Sequence, residues 1–146
     1  YTIAYTLSLH DALPIYPRVA RIALAQPATA PYGRAAQAAL ERAGIGEKAR
    51  PRLVFGDSLT QTVQFVETGA ADLGLVALSA VKSPRLAGRG VWREISPREH
   101  PGVSLDHAVV LTSRGATNPA ARRYLEFLAS EAARKILREA GYATPP

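Results

Sequence analysis

The sequence predicts an α/β fold: an open, mostly parallel sheet flanked by helices. Three observations carry that reading. Short apolar runs bounded by Gly, Pro and Asp alternate with longer stretches of helical spacing. Their order is strand, helix, strand, helix, strand, and parallel strands joined through helices cross over right-handedly. The third run, Asp72 to Leu78, is apolar almost throughout, as a strand covered on both faces must be.

Taken in order, Val19 to Ala25 is a short apolar run interrupted by Arg21 and closed by Gln26-Pro27, where proline removes a ladder donor. It reads as a buried strand. The loop Pro27 to Pro31 leads into a helix from Tyr32, with Ala36, Ala39, Leu40 and Ala43 on one face and Gly44 as its stop. Arg52 to Phe55 is a second strand. Gly56-Asp57-Ser58 turns it into a helix with the apolar face Leu59, Val63 and Val66, ended by Gly69. Ser58 and Gln61 have the spacing of a capping box, in which the serine oxygen takes a donor deeper in the first turn. That leaves the N–H groups of Leu59 and Thr60 for another acceptor.

After the third strand, Ser79 to Leu86 predicts a short helix stopped near Pro84, and Val91 to Ile95 an outer strand carrying the only tryptophan, Trp92, expected to pack. Pro97 to Gly102 reads as a surface loop and Asp106 to Thr112 as another strand. Asn118 as N-cap with Pro119 at the first helical position opens a helix whose face is Ala121, Tyr124, Leu125 and Leu128. Ser130 caps the last helix, with Ala133, Ile136, Leu137 and Ala140 in register up to Gly141.

The head of the chain is a separate matter. Thr6 to Ile15 resembles the translation of a common sequencing adapter, so Tyr1 to Ile15 are set aside from fold reasoning. About 130 residues remain, enough for a domain with its own core. The formal charge is +6, or +7 once Asp11 is set aside with the head. A basic balance favours anionic partners, but the arginines are scattered in ones and twos without a block of like charge or interleaved aromatics. Nucleic-acid binding is therefore not expected. Cysteine is absent, which fits either redox compartment. No apolar run reaches membrane-spanning length.

Catalysis finds no support in the residues. There is no nucleophile with base and orienter, no phosphate-cradling glycine loop and no metal-ligand spacing. His100 and His107 lack a spaced second ligand, and His10 lies in the excluded head. Arg34 reads as part of a solvated helix face, and Asp57 is expected to point into solvent.

Three stretches carry a resemblance: Ala30-Pro31-Tyr32-Gly33-Arg34-Ala35-Ala36, then Ser58-Leu59-Thr60-Gln61 running on to Gly69, then Ala71-Asp72-Leu73-Gly74-Leu75-Val76-Ala77-Leu78-Ser79. They resemble the C-terminal part of the periplasmic molybdate-binding proteins that feed ABC importers, with similarity from about Arg21 to Tyr142. The resemblance implies a type II periplasmic binding protein, two α/β lobes with an oxyanion in the cleft between them. Residues 16–104 would be the second lobe. Residues 105–146 would hold a return strand and two C-terminal helices of the truncated first lobe.

It further implies that molybdate or tungstate is bound through the backbone N–H groups of Tyr32 and Leu59, supported by Pro31, Gly33, Ser58 and Thr60. A family tyrosine after the third strand falls at Ala77, which has no hydroxyl, so that contact is not carried over. The implied protein is periplasmic, without cofactor, monomeric at full length, and partnered with a membrane permease. Other implied readings are a receptor for sulfate or another oxyanion, or an effector domain of a transcription regulator.

Overall fold

A computed structural model describes residues 2–4, 19–99 and 102–144. The chain divides into two compact units, Tyr1–Leu105 and Asp106–Pro146.

The first unit is built on a five-stranded sheet. Strand β2 (Ile22–Ala25) pairs in parallel with β3 (Leu53–Gly56) on one side and β4 (Leu73–Ala77) on the other. Strand β1 (Thr2–Ala4) runs antiparallel between β4 and β5 (Arg93–Ile95), so the order is β3-β2-β4-β1-β5. Between the strands lie α1 (Pro31–Arg42), α2 (Gly46–Ala49), α3 (Leu59–Glu67) and α4 (Leu78–Val81). The open α/β architecture with a largely parallel sheet is as the sequence predicts.

Side-chain alternation along the strands sorts the core into two layers. Ile22 and Leu24 of β2, Leu73 and Leu75 of β4 and Ile95 of β5 are fully buried against Ala36, Ala39 and Leu40 of α1. The intervening residues of β4 face the other way, where Val76 packs with Val63 of α3 and with Leu78. On that side Gly74 lies under α3, and a Cβ there would stand 2.5 Å from Val66 Cγ2. Helices α1 and α3 therefore cover opposite faces, as right-handed crossovers demand when β2 connects to one neighbour and β3 returns to the other.

Several boundaries differ from expectation for identifiable reasons. The first strand begins at Ile22, not Val19, because the Asp72 carboxylate takes the N–H groups of Ala20 and Arg21 at 2.8 and 2.9 Å. The second begins at Leu53, after a 3₁₀ turn over Arg50–Arg52. Helix α4 is one turn long, five residues short of Leu86 at its C-terminal side and starting one residue earlier than expected. β5 starts at Arg93, leaving Val91 and Trp92 outside the ladder and 55% and 43% exposed. β1 falls in the excluded head. A backbone ladder is indifferent to side-chain identity, so sequence reasoning that set the head aside placed no strand there. Tyr5 to Ile15, His10 included, lie outside the described residues, as does His100.

Past β5 a 3₁₀ turn, Pro97–Glu99, replaces part of the expected loop. Glu99 accepts from Arg93 Nη2 at 2.7 Å and from the Ser96 N–H at 2.8 Å. Partial burial pushes the Glu99 carboxyl upward. The Ser96 amide and the hydrogen bond and charge of Arg93 outweigh it and hold the carboxyl below the usual carboxylate range. With the folded value depressed, this link stabilises the fold above the ordinary carboxylate value and is lost as pH falls through the lower one. The Glu99→Gln variant is expected to show a shallower loss of stability over that acid window, measured by urea unfolding at stepped pH.

The second unit contains no strand among its described residues. Residues 103–112 have no regular structure, and Val109 and Val110 are 56% and 79% exposed. This corrects the expected strand at Asp106 to Thr112: the apolar run Ala108 to Leu111 is there, but a strand needs a ladder partner. Helix α5 (Ser113–Ala116) is capped by Thr112, whose hydroxyl accepts from the Gly115 N–H at 3.1 Å. α6 (Pro119–Leu128) and α7 (Glu131–Glu139) have the expected caps. Asn118 Oδ1 accepts from Ala120 N–H at 2.9 Å and Ser130 Oγ from Ala133 N–H at 3.3 Å.

Candidate functional site

The carboxyl edge of the sheet is where two helices on opposite faces begin, and in open α/β sheets such an edge is the usual ligand crevice. Ala25 and Gly56 are register partners at the ends of β2 and β3, and the Gln26 N–H extends the ladder onto the Gly56 carbonyl at 2.9 Å. The two chains thus leave the sheet side by side.

From β2, the Gln26 carbonyl accepts from the amides of Thr29 and Ala30 at 3.2 and 2.9 Å, closing a tight turn over Pro27–Thr29. Ala30 is the extended N-cap of α1, with no side-chain cap, and Pro31 at the first position has no N–H to leave unpaired. Tyr32 follows in the first turn, half-buried. The amides of Gly33 and Arg34 donate to the Ala30 carbonyl at 3.0 and 3.2 Å. Gly33 is buried against the strand end, where any Cβ would lie 2.1 Å from the Ala25 carbonyl oxygen.

From β3, Gly56-Asp57 leads to Ser58, the N-cap of α3, whose hydroxyl accepts from the Gln61 N–H at 3.2 Å. The return bond of a capping box normally goes to the N-cap amide. Here Gln61 Oε1 accepts instead from the Asp57 N–H, at 2.6 Å. Consequently the amides of Ser58, Leu59 and Thr60 make no hydrogen bond among the described residues. Three successive donors at a helix start, reinforced by the positive end of the helix dipole, suit an anion.

Both site positions singled out from the sequence, Tyr32 and Leu59, therefore belong to helix starts at one edge of one sheet, with Pro31, Gly33, Ser58 and Thr60 around them. Ala77 ends β4, buried and without a hydroxyl. Asp57 and Arg34 are exposed. His107 is in the second unit, edge-on to Tyr142 at 5.7 Å. Trp92 lines an apolar cavity of 280 Å³ with Val63, Val66, Gly74, Val76 and Leu86. Arg89 and Glu67, paired with each other at 3.9 Å, stand among its lining residues, and it lies along the middle of β4 rather than at the carboxyl edge. Among the described residues no cluster of three His, Asp or Glu side chains is placed to hold a metal ion, and no helix is long and apolar enough to cross a membrane.

Sequence reasoning missed Thr62, which is fully buried and donates its hydroxyl to the Ser58 carbonyl at 3.0 Å. It also missed Gly56, where a Cβ would meet Thr62 Oγ1 at 2.6 Å. A threonine four residues after an N-cap serine can bond back in this way, and that spacing was the available signal.

An α/β lobe with two helix starts at one sheet edge is an architecture that can hold an anionic ligand on backbone amides. A family model described as bacterial extracellular solute-binding protein matches residues 8–143, and the chain belongs to that family. It is 40% identical over 122 residues to the molybdate-binding protein ModA of Azotobacter vinelandii, across 83% of this chain and 47% of that relative. It is 37% identical over 123 residues to the molybdate-binding protein ModA of Rhodobacter capsulatus, across 84% and 47%. The chain thus spans about half the length of the curated relatives it matches. The solved periplasmic molybdate-binding protein of Azotobacter vinelandii shares its fold with a TM-score of 0.76 at 24% identity, over 99% of this chain and 65% of that one.

Proposed function

We propose that this chain contributes one wall of a periplasmic receptor for molybdate, with tungstate as an equivalent ligand, and that the receptor passes the ion to the permease of an ABC importer. The observation that carries the reading is the run of unpaired amides at Ser58, Leu59 and Thr60, on an edge shared with the start of α1. The names of the relatives at 40% and 37% identity support the choice of ion.

A tetrahedral dianion that stays ionised near neutral pH offers only acceptors, so its pocket must present only donors. Backbone amides do this without a counter-charge and cannot be protonated away. Each charge-assisted hydrogen bond contributes about 1.5–3 kcal/mol net. The few donors of one wall, after association costs, give capture near 4 kcal/mol, or roughly millimolar affinity. Submicromolar capture would require a second set of donors from a facing lobe.

Titrating the ¹⁵N-labelled 146-residue chain with sodium molybdate tests this. Shifts are expected at the amides of Tyr32, Ser58, Leu59 and Thr60, saturating in the millimolar range, and weaker shifts with sodium sulfate. Unmoved amides at those positions, with or without shifts elsewhere, would overturn the assignment.

A further inference from the structure

We infer that Thr62 is a positioning residue of this site, fixing from beneath the direction in which the Leu59 amide points. The inference rests on the oxyanion reading and adds to it a residue that touches no ligand.

The peptide between Ser58 and Leu59 is a rigid trans plane, so its carbonyl and its N–H point in opposite directions. Whatever holds the Ser58 carbonyl also aims the Leu59 N–H. Two donors hold it: the Thr62 amide at 3.0 Å, the ordinary first bond of the helix, and the Thr62 hydroxyl at 3.0 Å. One donor alone lets the plane rock about the bond. A second, from a side chain with no exposed surface, restricts that motion.

The surroundings accommodate the hydroxyl at a sequence cost. A side chain on Gly56 would stand 2.6 Å from Thr62 Oγ1, 2.8 Å from Thr62 N and 3.0 Å from the Ser58 carbonyl oxygen. Glycine at the end of β3 therefore lets the first turn of α3 settle directly on the strand. Meanwhile Gln61 holds the Asp57 amide on the outer side of the same turn. The Leu59 amide projects from a turn clamped on both sides, and pre-organised donors lose less free energy on binding than mobile ones.

The test compares the 146-residue chain with its T62V and T62S variants in the same ¹⁵N molybdate titration. Valine keeps the shape and removes the hydroxyl; serine keeps the hydroxyl. T62V is expected to weaken binding about threefold to tenfold, the range spanned by loss of one net hydrogen bond, and to shrink the Leu59 shift, while core amides at Ile22 and Leu75 stay in place. T62S is expected to bind as the parent does. If valine disturbs the turn, T62A read against T62S makes the same comparison. Equal affinity and an equal Leu59 shift in the hydroxyl-free variant would overturn the inference. A parent chain whose Leu59 amide ignores molybdate would instead sink the oxyanion reading itself, so the two failures are separable.

Discussion

Replacing Gly33 with alanine is expected to cost about 3 kcal/mol or more, the upper range for overpacking a closed site, and to remove molybdate-induced shifts from the start of α1. Helix propensity alone demands the opposite sign, since alanine inside a helix is better than glycine by roughly 1 kcal/mol. Space decides the matter. A Cβ on Gly33 would lie 2.1 Å from the Ala25 carbonyl oxygen and 2.8 Å from both the Ala25 carbonyl carbon and the Pro27 nitrogen. All three are backbone atoms of the strand end and its turn, and that turn is tied down by Gln26, whose N–H is bound to Gly56 and whose carbonyl accepts from Thr29 and Ala30. Neither side can yield without separating α1 from β2. Gly74→Ala provides the contrast: its Cβ would meet only the Val66 Cγ2 methyl at under 3 Å, and a valine side chain can turn or shift. That change should cost about 1 kcal/mol or less. Urea unfolding of both variants, with the denaturant slope unchanged, checks the order. A Gly33→Ala variant as stable as Gly74→Ala would show that α1 does not sit against the strand end as described.

This contrast also marks how far the sequence could be read. Strands β2, β3 and β4 and helices α1 and α3 are visible in it because each is a local pattern: an apolar run, a 3.6-residue spacing, a proline at a first position, a glycine past the end. The caps at Ser58, Asn118 and Ser130 are likewise local, and their hydroxyl or amide oxygens accept the expected donors. The helix start around Ser58 was legible for the same reason. What was not legible depends on residues distant in the chain or on very short elements. Helix α2 is a single turn between Gly44 and Pro51, residues that ordinarily announce a loop. Residues 106–112 contain the apolar run Ala108 to Leu111, yet such a run says only that a strand could form there, and a ladder partner must supply the rest. Gly56 reads from the sequence as a turn residue, and Gly33 only as part of the stretch that carries the resemblance. Neither has a positive φ; each is small because another part of the backbone passes over it. Thr62 escaped because the apolar face of α3 was counted through Leu59, Val63 and Val66, and a buried hydroxyl satisfied within its own helix leaves no trace in hydropathy.

Introducing a carboxylate at Ser58 is expected to separate folding from binding most sharply. Aspartate is as good an N-cap as serine, and a negative charge at a helix start is favourable by about 0.3–1 kcal/mol. The Ser58→Asp chain should therefore unfold at the same urea concentration as the parent or a higher one. Its carboxylate would replace the hydroxyl that now accepts from the Gln61 amide, beside the unpaired amides of Leu59 and Thr60. A dianion seated on those amides would lie on the order of 5 Å from the new charge. At an effective dielectric near 20 the repulsion is roughly 7 kcal/mol, larger than the whole affinity expected of one wall. Solvent screening reduces that figure, but a loss of well over tenfold survives even a large reduction. Ser58→Asn supplies the control, an equally good cap without charge, and should bind as the parent does. The exposed carboxylate already present at Asp57 does not blunt the comparison, since it is common to all three chains. If the aspartate and asparagine variants titrate alike with molybdate, the ion does not rest on the start of α3, whatever else in the chain attracts it.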